Sequence, residues 1–229
     1  MNKKVILALD NLDLEKALSI SNQVKDKLLT VKIGLELWNL AHKTGIKKFN
    51  DIGLNNLMLD LKLMDIPNQI YRSILALKGI KFEYLTVMAL GGNEMIKQAK
   101  KAANEIDSNI KILSVTILTS LSTQALSKMG FNSSVEDTVV QLAKTSSEAD
   151  GYVSSALEAK LLREKVSKDK LIFCPGIRMP DDSNNDQAQE RTASPTLAIQ
   201  NGADACIMGR SLLQGDVNKN LEKVINSIK

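Results

Sequence analysis

Short runs of leucine, isoleucine and valine recur along this chain, and between them apolar residues fall three and four positions apart. The runs read as strands: KKVILALD (3–10), LLTVKIG (28–34), NLMLDLKL (56–63), YLTVMAL (84–90), IKILSVTIL (110–118), GYVSSA (151–156), LIFCPGI (171–177) and ACIMG (205–209). The intervening segments, such as DLEKALSISNQVKDK (13–27), NEMIKQAKKAANEI (93–106) and VNKNLEKVINSI (217–228), carry the spacing of amphipathic helices. Nearly continuous apolar strands alternating with helices predict a parallel sheet covered by helices. Eight such units in 229 residues predict an α/β fold of the closed (β/α)8 barrel type, as one domain over 1–229. An open doubly wound sheet is the second choice, but ALDN after the first strand lacks the glycine-rich turn of a dinucleotide site.

A barrel of this kind acts at the C-terminal ends of its strands. The charged residues that interrupt the apolar runs gather there. Asp10 ends the first strand, Lys32 lies near the end of the second, and Asp60 and Lys62 end the third. Thr119 follows the fifth, Arg178 the seventh, and Gly209 and Arg210 close the eighth. Asp60 and Lys62 are two residues apart, so on a strand they share a face. With Lys32 and Asp10 they make an alternating set in which each charge favours the ionised form of its neighbours. The plain alternative is a structural ion-pair network. The chemical reading is sharper: an ammonium group can donate a proton, and a fixed carboxylate can repel an anionic substrate group. Together these are tools for breaking a bond to CO2 and protonating the carbon left behind.

PGIR (175–178) and MGRS (208–211) follow the strands where such barrels often hold phosphate. Gly209 would let backbone N–H groups approach, Arg210 could grip the oxygens, and a short helix after Gly209 would add its N-terminal dipole. From Pro175 to Pro195 the chain is polar and turn-rich, the signature of a functional loop, and it is expected to form a lid. Asp181, Asp182 and Asp186 in it are read as solvated loop charges, with no metal site expected.

Composition narrows the partners. The chain is 44% hydrophobic and 24% charged with a net charge of +4, and aromatics make up only 3%, too few for a base-stacking surface. A small anionic substrate fits this balance better than a nucleic acid does, and neither nucleic acid nor membrane is expected as a partner. Cys174 and Cys206 lie in apolar strand-like runs without metal-ligand spacing and read as buried free thiols, as in a reducing compartment. MNKKVILALD lacks a secretory h-region and cleavage site, and no apolar run approaches about 20 residues, so a cytoplasmic location is expected. His42, the single histidine, is expected near a helix end, solvated or capping, and Trp38 on the same helix is expected to pack. Chemistry that relies on a histidine base or histidine-bound zinc is thereby excluded.

These residues resemble the orotidine 5'-monophosphate decarboxylase family over nearly the whole chain. The resemblance is carried by ALD (8–10), VKIGLEL (31–37), LDLKLMDIPN (59–68), TILTS (116–120), PGIR and MGR. It implies a homodimer with composite sites that uses neither metal nor organic cofactor. It also implies a catalytic array of Lys32, Asp60, Lys62 and Asp65, with Lys62 donating a proton to C6 of the pyrimidine. Asp60 would face the substrate carboxylate, and Asp65 would come from the other subunit. Asp10 and Lys32 would hold ribose hydroxyls, and Thr119 would lie near the base. Arg178, Gln189, Gly209 and Arg210 would hold the phosphate end. Gln189 is taken over Gln187 because the family glutamine stands six residues before the proline now at 195.

The chain departs from the family pattern at three positions: Met64 and Met88 stand where histidines are usual, and Gln69, a position expected to touch ribose across the dimer interface, replaces a threonine. Altered contacts or stability are expected from these, not loss of the reaction. Two rivals remain. One is a magnesium-dependent sugar-phosphate decarboxylase or aldolase of the same superfamily, which shares D-x-K-x-x-D but not DIPN with a long PGIR loop. The other is a nucleotide-binding barrel that no longer turns over.

Overall fold

The computed structural model describes residues 3–180 and 191–228. Eight parallel strands close into a ring in sequence order: β1 (Val5–Ala8), β2 (Thr30–Gly34), β3 (Leu57–Leu63), β4 (Phe82–Met88), β5 (Lys111–Val115), β6 (Gly151–Val153), β7 (Leu171–Cys174) and β8 (Ala205–Met208). The ring closes through β8 against β1, with Val5 opposite Cys206. The expected barrel is therefore the observed one.

Around it, in chain order, lie α1 (Leu14–Val24), α2 (Leu35–Asp51), α3 (Pro67–Leu75), α4 (Gly92–Ile106), α5 (Thr123–Lys128) and α6 (Val135–Thr145). Then come α7 (Ala156–Lys165), α8 (Pro195–Gln200), α9 (Arg210–Leu213) and α10 (Val217–Ser227). Several starts are written in the sequence. Asp13, Ser134, Ser155, Ser194 and Asp216 each accept a first-turn N–H with their side chains, satisfying donors that have no partner inside the helix.

Strand alternation sorts the core into two layers. Leu7, Ile33, Leu59, Leu85, Ile112 and Ile172 point outward and are covered by the helices. Ile6, Met58, Tyr84, Leu113, Phe173 and Ala205 point inward and fill the barrel. The Tyr84 and Phe173 rings meet edge to face at 5.0 Å. Cys174 and Cys206 face each other across β7 and β8, both fully buried. Burial pushes both thiol pKa values up, that of Cys206 to about 12.

Two local expectations need correction. α2 does not end at His42; it runs to Asp51 with a break there, where His42 adopts φ 53°. His42 itself is exposed. Three of the hydrogen-bonded strands also end before their apolar runs do: β5 stops at Val115, β6 at Val153, where Ser155 already caps α7, and β7 at Cys174.

Candidate active site

Reading the inward positions up each strand explains where the charge lies. β1 presents Ile6, then Ala8, and Asp10 just past its end; β2 presents Thr30, Lys32 and Gly34. β3 presents Met58, Asp60 and Lys62, and β4 presents Tyr84, Thr86 and Met88. The lower positions fill the barrel, and above them Ala8, Asp10, Lys32, Asp60 and Lys62 open into a cavity of about 460 Å3 at the C-terminal mouth. Asp10, Lys32, Asp60, Lys62, Thr119, Arg178, Gly209 and Arg210 all line it.

At its floor the charges form a chain. Lys32 Nζ lies 3.1 Å from Asp10 Oδ1 and 3.2 Å from Asp60 Oδ2, and Lys62 Nζ lies 2.9 Å from the same Asp60 oxygen. Lys32 and Asp60 are both buried, so neither charge would be tolerated alone. Burial opposes the Lys32 ammonium, but the carboxylates of Asp60 and Asp10 outweigh it and hold its pKa above the ordinary lysine value. Burial likewise opposes the Asp60 carboxylate, but Lys32 and Lys62 hold its pKa below the ordinary aspartate value. Gly34 keeps this corner open: a Cβ there would stand 2.6 Å from Asp10 Oδ1 and 3.2 Å from Lys32 Nζ.

The backbone of Lys62 is not that of a strand residue. Its φ is 47°, and the β3–β4 ladder skips from Leu59 opposite Leu85 to Leu63 opposite Val87. Simple alternation therefore does not place Lys62; a bulge does, and its side chain still meets Asp60. The neighbouring Thr86, which sequence reasoning missed, is fully buried between these residues. Its hydroxyl accepts the Lys62 N–H at 2.9 Å and donates to Asp60 Oδ1 at 3.0 Å. A threonine inside YLTVM reads as an ordinary strand former; its inward parity with Tyr84 was the available signal.

The other end of the cavity is cationic, with Arg178 after β7 and Arg210 opening α9. The two ends of the long loop pair with each other. The Arg178 N–H donates to the Ala193 carbonyl at 3.0 Å, and the Ala193 N–H to that of Gly176 at 3.2 Å. Arg191 forms an ion pair with Glu158, which is buried in the first turn of α7. Gln189, Gln187 and the three loop aspartates lie outside the described residues.

Two predicted residues are not brought into the cavity of this chain. Asp65 is exposed beyond β3, where its Oδ1 accepts the Ile66 N–H at 2.6 Å, and Gln69 is exposed in the first turn of α3. Neither lines the cavity. Met64 is exposed as well, and Met88 is half-buried at the end of β4. No group of three or more potential metal ligands occurs among the described residues.

A closed parallel barrel whose mouth carries a buried charge chain at one end and arginines at the other defines a (β/α)8-barrel enzyme. Residues 3–223 match the model of the orotidine 5'-phosphate decarboxylase / HUMPS family, and the chain belongs to that family. An orotidine 5'-phosphate decarboxylase of Fusobacterium nucleatum subsp. nucleatum is 39% identical, over 100% of this chain and 95% of its own. One from Lactobacillus johnsonii is 40% identical over 93% and 92%. The crystal structure of orotidine 5'-phosphate decarboxylase from Lactobacillus acidophilus superposes with a TM-score of 0.83 at 33% identity, covering 99% of both chains.

Proposed function

We propose that this chain converts orotidine 5'-monophosphate to uridine 5'-monophosphate, the last step of pyrimidine nucleotide synthesis, with Lys62 protonating C6. Membership of the family and the names of its relatives support the reaction. The observation that carries the mechanism is the buried Asp60 carboxylate, shared by the ammonium groups of Lys32 and Lys62.

The arginine end, Arg178 and Arg210 with Gly209 and Gln189, holds the phosphate, while Asp10 and Lys32 hold the ribose and Thr119 meets the base. The substrate carboxylate is then set against Asp60. As the C6–carboxylate bond breaks, its electron pair stays on C6 and neutral CO2 departs, which removes the repulsion. The ammonium of Lys62 stabilises the negative charge growing on C6 and then transfers its proton there. Because these charges are oriented before substrate arrives, little reorganisation is needed during the reaction. No metal or organic cofactor enters this scheme.

The site is completed by a second copy of the chain, with Asp65 joining the array from the other subunit and Gln69 approaching its ribose. Leu35, Met64, Ile66 and Leu90 support this reading. They are exposed, large and apolar, and they follow three consecutive strands of the ring, β2 to β4, on the same rim as Asp65. A cytoplasmic homodimer is the proposed form; no helix among the described residues is long and apolar enough to cross a membrane.

The test is the loss of orotidine monophosphate absorbance with purified, chelator-treated protein. Wild type is expected to turn over, and Lys62→Ala to be inactive while retaining its circular dichroism. Substantial turnover by Lys62→Ala would remove the proton-donor assignment. Loss of wild-type activity with chelator would favour the magnesium-dependent rival, and tight binding of uridine monophosphate without turnover the non-catalytic one.

A further inference from the structure

We propose that Thr86 is a positioning residue for both Asp60 and Lys62, and that its hydroxyl, not its bulk, is what the site requires. The inference rests on the roles proposed above for those two residues. A left-handed backbone at a residue with a side chain is costly, on the order of 1–2 kcal/mol, and persists only where the surroundings impose it. At Lys62 the imposing contact is visible. The bulge takes its N–H out of the β3–β4 ladder, and Thr86 Oγ1 receives it instead.

The same hydroxyl has one proton to give, and it gives it to Asp60 Oδ1. That leaves Asp60 Oδ2 for the two ammonium groups. Each carboxylate oxygen thus has its own partners, and rotation of the carboxylate would break contacts at both. Thr86 therefore sets the plane of Asp60 and the backbone from which Lys62 reaches, without itself lining the cavity. A hydroxyl is suited to this work because it accepts from one neighbour while donating to the other. Valine has the same branched shape and can do neither.

The test compares Thr86→Val with Thr86→Ser. Misplacing reacting groups by about an ångström costs on the order of 100-fold in rate. Thr86→Val is expected to lose kcat on that scale with little change in KM, because the phosphate contacts are untouched, and Thr86→Ser to retain most of it. A merely structural role would lower stability while leaving kcat per folded molecule unchanged.

A second readout does not depend on turnover. Amide hydrogen exchange at Lys62 should lose protection in Thr86→Val and keep it in Thr86→Ser. Should the valine chain fail to fold, Thr86→Ala carries the same two measurements. Wild-type kcat in the chain lacking the hydroxyl, equal impairment of the serine chain, or unchanged Lys62 protection would each overturn the proposal. Absence of wild-type turnover would instead remove the functional reading, while the exchange result still decided whether the contact exists.

Discussion

Replacing Asp60 by asparagine keeps the size and most hydrogen-bonding capacity of the side chain but removes the charge shared by two lysines. Its oxygen lies 3.2 Å from Lys32 Nζ and 2.9 Å from Lys62 Nζ. At an effective dielectric near 20, each separation corresponds to about 5–6 kcal/mol of gross attraction. Desolvating the carboxylate offsets several kcal/mol of this, and solvent reaching the Lys62 side chain screens part of the second pair. Lys32 also retains Asp10. A net destabilisation of about 2–4 kcal/mol is expected at neutral pH, toward the lower part of the range for breaking a buried pair.

The pH dependence has a definite sign. The folded protein holds the Asp60 pKa below its ordinary value, so its contribution is fully present above about pH 4 and declines as pH falls through the lower folded value. Lys32 is shifted upward, so its contribution fades only on the alkaline side. The wild-type minus Asp60→Asn difference should therefore be flat from neutral pH to about pH 4 and shrink below it. Urea denaturation followed by the fluorescence of the single tryptophan, Trp38, measures this directly. A difference within about 0.5 kcal/mol at neutral pH, or one that grows on acidification, would refute the reasoning.

Arg210→Ala should lower kcat/KM for the phosphorylated substrate by roughly 10- to 100-fold, the worth of one charge-assisted contact, and hardly affect orotidine lacking the phosphate. Steady-state assays with both substrates check this, and equal losses would place Arg210 elsewhere. Mixing inactive Lys62→Ala and Asp65→Ala chains under subunit exchange should restore roughly a quarter of wild-type activity, because mixed dimers gain one site with neither lesion. No recovery, after exchange is verified by mass, would return Asp65 to its own chain.

How legible the molecule was depends on the residue. All eight strands could be read in order, since each buried strand is an apolar run bounded by polar turns. Their ends were overrun because Ile117 and Ile177 are as buried as strand residues while already lying in mouth loops. β4 was entered late, since Glu83 near its start breaks the apolar run. Asp10, Lys32 and Asp60 could be placed at the mouth by alternation alone. The left-handed turn at Lys62 could not, because it depends on a hydroxyl 24 residues away. Asp65 and Gln69 could not be placed at this cavity by alternation, since both are exposed and neither lines it.

The paired cysteines of β7 and β8 give this barrel a chemical clock. With both side chains fully buried and their ionisation suppressed, neither offers the thiolate that alkylating reagents attack. The native enzyme should therefore keep its activity in such reagents for as long as the barrel stays closed. Every labelled molecule will have opened between two adjacent strands of the ring. The rate of mass gain under a thiol reagent then reports how often that seam parts, and a nucleotide bound as proposed against the loops after the same two strands should slow it.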